Sequence, residues 1–133
     1  MPVGLTVTLT YAGSATLPIT AGSYEVIGTV VGEANYIGAA TNTLVIAKSN
    51  APVTLGNLSQ VYSGTGRSAS ATTVPPGLTV DLTYAGSATL PTNAGSYQVI
   101  GTVVEANYSG AATNTLTIAK SNAPVTLGNL NQV

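Results

Sequence analysis

Hydrophobic and polar residues alternate in short runs along this chain, and the runs are separated by turn residues. The clearest is Leu78-Thr79-Val80-Asp81-Leu82-Thr83-Tyr84, which places Leu78, Val80, Leu82 and Tyr84 on one face of a strand. Leu5, Val7 and Leu9 fall in the same alternation earlier in the chain. Val53 to Leu58 predicts another strand, Arg67 to Thr73 a weaker one, and Tyr97 to Val104 and Asn114 to Ala119 two more. Turn residues stand between them: Tyr62-Ser63-Gly64, Pro75-Pro76-Gly77, Ala85-Gly86-Ser87, Asn93-Ala94-Gly95-Ser96 and Asn107-Tyr108-Ser109-Gly110. No window shows a helical period. Short strands at intervals of roughly 8–15 residues predict an all-β chain built as an antiparallel β-sandwich.

The same pattern occurs twice. Pro2 to Val31 aligns with Pro75 to Val104 at 25 of 30 identical positions, and Glu33 to Val61 with Glu105 to Val133 at 26 of 29. The period of 72 to 73 residues is too long for a solenoid and suits tandem small domains. The joints are predicted at Ala47-Lys48-Ser49-Asn50-Ala51-Pro52 and Ala119-Lys120-Ser121-Asn122-Ala123-Pro124, where Ser-Asn suits a turn and Pro stiffens the entry. Lys48 to Ala119 is then one complete unit of 72 residues. Residues 1–47 are the later part of a preceding unit, and residues 120–133 the opening strand of a following one. A unit of this size buries only about 60% of its unfolded surface, so contacts between units are expected to matter.

Composition narrows the chemistry. The 133 residues include three basic and four acidic side chains, 5% charged, against about 25% in an ordinary domain. Cysteine, histidine, tryptophan and phenylalanine are absent. That composition excludes a disulfide framework, a Cys/His metal site, and Ser-His-Asp or Cys-His catalysis. A formal net charge of −1 provides no footprint for nucleic acid. No run of 18 apolar residues predicts a membrane span, and Met1-Pro2 leads directly into a strand pattern without a signal peptide. No cofactor, metal or enzymatic activity is expected.

Together, Gly77-Leu78-Thr79-Val80, Leu82-Thr83-Tyr84-Ala85-Gly86-Ser87, Asn93-Ala94-Gly95-Ser96-Tyr97-Gln98-Val99, Asn107-Tyr108-Ser109-Gly110 and Thr115-Leu116-Thr117-Ile118-Ala119-Lys120 resemble the MBG-type repeat of large bacterial surface proteins. Val53 to Leu58 and Tyr62-Ser63-Gly64-Thr65 match the opening of that pattern. The resemblance covers the whole unit and implies stalk or array modules at the cell surface or outside the cell, Ig-like in fold and without enzymatic activity.

Candidate sites are few. Tyr24 and Tyr97, each after Ala-Gly-Ser, are expected to pack and hydrogen-bond at a strand entry rather than present a binding ring. Lys48 and Lys120 invite comparison with Lys–Asn isopeptide crosslinks, but in a polar joint a solvated lysine is the better expectation. Glu25, Glu33, Asp81 and Glu105 are too dispersed for calcium. Asn57-Leu58-Ser59 and Asn107-Tyr108-Ser109 are formal glycosylation acceptors, yet their copies lose the hydroxyl, so chance accounts for them.

The chain begins and finishes inside units. A window cut from a longer array accounts for that; polymerisation is the sharper alternative. Residues 1–47 would expose an unpaired sheet edge, and residues 120–133 supply an opening strand with no domain behind it. Val125, Leu127 and Leu130 of one copy are therefore expected to add to the Leu5, Val7 and Leu9 region of another, head to tail. The composed unit would still lack the counterpart of Tyr62 to Val74. Lateral packing of such low-charge faces is also expected, because little like-charge repulsion opposes it. A module whose loops grip a host protein or glycan is the alternative function.

Overall fold

The computed structural model describes residues 2–133 and is all-β, with eleven strands and no helix among the described residues. The chain folds as two units. The first runs to Asn50 and takes in Glu105–Ser109; the second comprises Ala51–Val104 and Gly110–Val133.

In the first unit, β1 (Val7–Tyr11), β2 (Gly22–Val30) and β3 (Ala39–Ile46) form an antiparallel sheet in that order. Val7 pairs with Val30, and Gly22 with Ile46. A two-residue strand, β4 (Ser49–Asn50), belongs to a separate two-stranded sheet described below.

In the second unit, β5 (Val53–Gly56) is followed by β6 (Ser59–Val61), β7 (Ser70–Thr73), β8 (Val80–Tyr84) and β9 (Gly95–Val103). After β10 (Tyr108–Ser109), which folds with the first unit, β11 (Ala111–Ala119) completes the second. The main sheet has the order β6-β11-β9-β8, and β5 with β7 makes a two-stranded sheet. The β8–β9–β11 ladder repeats the first unit's register, with Val80 opposite Val103 and Gly95 opposite Ile118.

Alternation explains the core. The inward residues Tyr84, Val99, Leu116 and Ile118 of the main sheet pack with Leu55 from β5 and Ala69 from the loop before β7. Val53, Leu58, Ala71, Leu82, Tyr97 and Ala112 close around them. Buried polar groups are satisfied: the Thr73 hydroxyl donates to Pro75 O at 2.8 Å and accepts from the Leu78 N–H at 3.2 Å. At the Ala85-Gly86 turn both residues have positive φ, 49° and 83°. Tyr84 and Ser87 exchange backbone hydrogen bonds across it, as a two-residue hairpin turn requires. Ala12-Gly13 does the same in the first unit.

The Tyr84 hydroxyl accepts a hydrogen bond from the buried Ala69 N–H at 3.0 Å. Tyr84→Phe leaves that donor without a partner, a loss of about 1–3 kcal/mol. Tyr11→Phe, whose hydroxyl makes no hydrogen bond among the described residues, should cost less than about 0.5 kcal/mol. Urea denaturation of the two variants checks the contrast.

Several expectations need correction. The opening strand Val53 to Leu58 is not continuous: Asn57 has φ 56°, and the chain leaves β5 to re-enter the main sheet as β6. There β6 pairs with β11 in parallel, Ser59 opposite Thr117, so the strands of the second unit are not purely antiparallel. The Ser49-Asn50 and Tyr108-Ser109 turns are instead short strands, β4 and β10, paired in parallel with each other. Residues 120–133, expected as an opening strand, form no strand: the segment has no ladder partner, and an isolated strand leaves its backbone groups to water.

Candidate functional site

The two units carry the same three-stranded ladder with different cover. In the second, Leu55 lies over Gly101, so close that a Cβ built there would meet Leu55 Cδ2 at 2.9 Å. In the first, the counterpart Gly28 is approached only by Leu9 Cδ2 at 3.3 Å and Val7 Cγ1 at 3.4 Å, both from its own sheet. Val7 and Leu9 are 50% and 48% exposed. With Val26, Gly28, Val30 and Ala40 they line an open, apolar hollow of about 540 Å³. Leu5, half-buried, lies just before β1 and lines a second hollow with Val3 and Val7.

The predicted covering residues are fully available. Val125, Leu127 and Leu130 are 83%, 72% and 74% exposed. Their segment, Ala123–Val133, differs from Ala51–Val61 only at Asn131, where the earlier copy has Ser59. It also holds the same local shape. Asn129 has φ 56°, as Asn57 does, and Gln132 Nε2 donates to Asn129 O at 3.0 Å, as Gln60 does to Asn57 O. The bend that separates β5 from β6 is therefore shared by a segment that pairs with no other strand. The structure leaves Val7 and Leu9 exposed and Leu5 half-buried on the first unit, and Val125, Leu127 and Leu130 exposed on the second, without bringing the two predicted sets together.

A second arrangement was not predicted from the sequence. In the first unit, Asn107 acts as a clamp: its Oδ1 accepts from the Ala21 N–H at 2.8 Å, and its carbonyl from the Ser49 N–H at 2.8 Å. Lys48 Nζ donates to the Glu105 carbonyl at 2.8 Å. Lys48 is thus held by a backbone acceptor rather than simply solvated. The missed indication was that Asn35 and Asn107 persist in both copies while the following hydroxyl does not. That argues against glycosylation, but it marks the asparagine itself as the functional group.

Other candidates have structural roles. Tyr24 and Tyr97 donate from their hydroxyls to Thr20 O and Asn93 O, both at 2.8 Å, four residues back along the chain. The Asn57 side-chain nitrogen, the atom glycosylation would modify, donates to Ser68 O at 3.2 Å. Among the described residues no three His, Cys, Asp or Glu side chains gather as a metal site, and no helix is long and apolar enough to cross a membrane.

The family model described as the MBG domain matches residues 1–50 and again residues 51–122. The chain belongs to the MBG domain family. The two matches meet at Asn50/Ala51, where the structure also passes from one unit to the other. In MBG terms, the open face belongs to the first match, and the exposed Ala123–Val133 segment repeats the opening of the second. No curated protein and no solved structure matches the chain significantly.

Proposed function

We propose that this MBG chain is a structural, non-enzymatic part of an extracellular bacterial surface protein, built of tandem Ig-like β-sandwich units that associate by strand addition. The observation that carries the reading is the uncovered face of the first unit, set against the covered face of the second. Leu55 and Leu58 pack on the second unit's core, and the Ala123–Val133 segment carries the same residues, Leu127 and Leu130, in the same local conformation.

The register follows from β6 and β11. Thr117 N–H donates to Leu58 O at 2.8 Å, and Ser59, Gln60 and Val61 pair with Thr117, Ile118 and Ala119. By the repeat, Asn131, Gln132 and Val133 of one copy pair with Val45, Ile46 and Ala47 of another. Val45 N–H then donates to Leu130 O, and Leu127 covers Gly28. Burying three aliphatic side chains of this size favours the contact by about 1.5–3 kcal/mol each before ordering costs. The preset Asn129 bend reduces those costs. The contact is heterologous, so it propagates head to tail into a fibre. With so few charges, the faces repel each other little.

Light scattering and negative-stain electron microscopy of the 133-residue chain test this reading. Concentration-dependent oligomers and filaments are expected, and removal of residues 123–133 should leave a monomer. A 133-residue chain that stays monomeric at high concentration overturns it.

A further inference from the structure

The clamp around Asn107 has an open counterpart in the second unit. Shifted by one repeat, Ala21, Lys48 and Ser49 become Ala94, Lys120 and Ser121. These three line an open groove of about 630 Å³ together with Tyr62, Asn93 and Asn122. Among the described residues, neither the Ala94 and Ser121 N–H groups nor the Lys120 ammonium makes a hydrogen bond. The same shift turns Glu105-Ala106-Asn107-Tyr108 into Glu33-Ala34-Asn35-Tyr36, identical in sequence and displayed on the first unit. There Asn35 is exposed and makes no hydrogen bond among the described residues, and Ala34-Asn35 carries the same bend as Ala106-Asn107.

We propose that the groove at Ala94 and Lys120–Asn122 is a docking site for the Glu33–Tyr36 loop of a second copy. Asn35 Oδ1 accepts from the Ala94 N–H, the Asn35 carbonyl from the Ser121 N–H, and the Glu33 carbonyl from Lys120 Nζ. Tyr36 lies opposite Ser121, as Tyr108 lies opposite Ser49. The Ala94 and Ser121 amides and the Lys120 ammonium each meet one of the three oxygens that the loop offers. The partner's chemistry is fixed by the identity of the loop to one already bound inside this chain by the same three groups.

This inference rests on the strand-addition reading and deepens it. Both contacts run between the C-terminal part of one copy and the first unit of the next, so one head-to-tail encounter makes them together. Strand addition supplies apolar burial and a three-residue ladder. The clamp adds side-chain hydrogen bonds at the joint that a mismatched partner could not make.

The chain has no cysteine, so an engineered pair gives a clean readout. One sample of the full chain carries Tyr36→Cys, another Ser121→Cys, and the two are mixed under mild oxidation. A disulfide-linked heterodimer is expected in the mixture, well above the homodimer formed by either sample alone. Introducing Leu127→Asp into the Ser121→Cys sample should abolish it by blocking strand addition. Separately, Asn35→Ala should weaken self-association about tenfold in sedimentation equilibrium, with the urea midpoint unchanged. Oligomers that persist without the crosslink, or with Asn35→Ala at wild-type affinity, overturn the clamp and leave strand addition standing. Absence of both oligomer and crosslink overturns the two together.

Discussion

Leu116→Ala is expected to destabilise the second unit by about 2–5 kcal/mol, while the equivalent change in the first unit, Leu44→Ala, should cost about 1 kcal/mol or less. The two leucines occupy the same position of the same repeat, in the identical local sequence Ala-Ala-Thr-Asn-Thr-Leu. Their surroundings differ. Leu116 is 0% exposed and belongs to a core with Leu55, Val99 and Ile118, whereas Leu44 is 37% exposed. Truncation at Leu116 removes buried methyl groups and leaves a cavity that the facing β5 layer cannot fill without moving. Truncation at Leu44 removes atoms that already touch water. Urea denaturation of the two variants measures the difference. Under conditions where the chain self-associates, the cost of Leu44→Ala should rise towards that of Leu116→Ala, because a second copy then covers it.

Glycine substitutions should separate folding from assembly. Gly101→Val is expected to cost about 3 kcal/mol or more, since the new Cβ would stand 2.9 Å from Leu55 Cδ2, 3.2 Å from Val80 Cγ1 and 3.3 Å from Leu82 Cδ2. Leu55 lies in the core and Leu82 packs against it, so the three neighbours cannot all give way. Gly28→Val meets only the ends of Leu9 and Val7, at 3.3 Å and 3.4 Å, on an open face, and should change stability by less than about 1 kcal/mol. It would nevertheless occupy the place assigned to Leu127 of a second copy. Loss of self-association in sedimentation velocity, with an unchanged urea midpoint, is therefore the expected result for Gly28→Val. Wild-type oligomers from this variant would show that Leu127 does not lie over Gly28.

Much of the strand layout was legible because alternation is a local property. The run Leu78 to Tyr84 foretells β8, Tyr97 to Val104 foretells β9, and Asn114 to Ala119 the second half of β11. Regions that failed depend on partners distant in the chain. Val53 to Leu58 alternates as though it were one strand, and nothing local announces that its two halves serve different sheets, except Asn57 as a residue tolerant of positive φ. Ser49-Asn50 and Tyr108-Ser109 have turn composition, yet they are strands because the Asn107 carbonyl waits at the right distance from the Ser49 N–H. For the proposed assembly, the unequal content of the repeats is what singles out Leu5, Val7, Leu9, Val125, Leu127 and Leu130. The sequence singled out Lys120 only as a solvated lysine and gave no role to Ala94 or Asn35, because the backbone amides and carbonyls that complete such a contact are possessed by every residue and leave no mark in the sequence.

The sequence alone determined the repeat, the all-β class, the MBG resemblance and the near absence of charge, since each follows from residue identity and local period. Only the tertiary structure decided which copy of a nearly identical strand is buried and which is open. Burial is a property of what lies across a sheet, and the residues of a strand do not encode whether its cover is present.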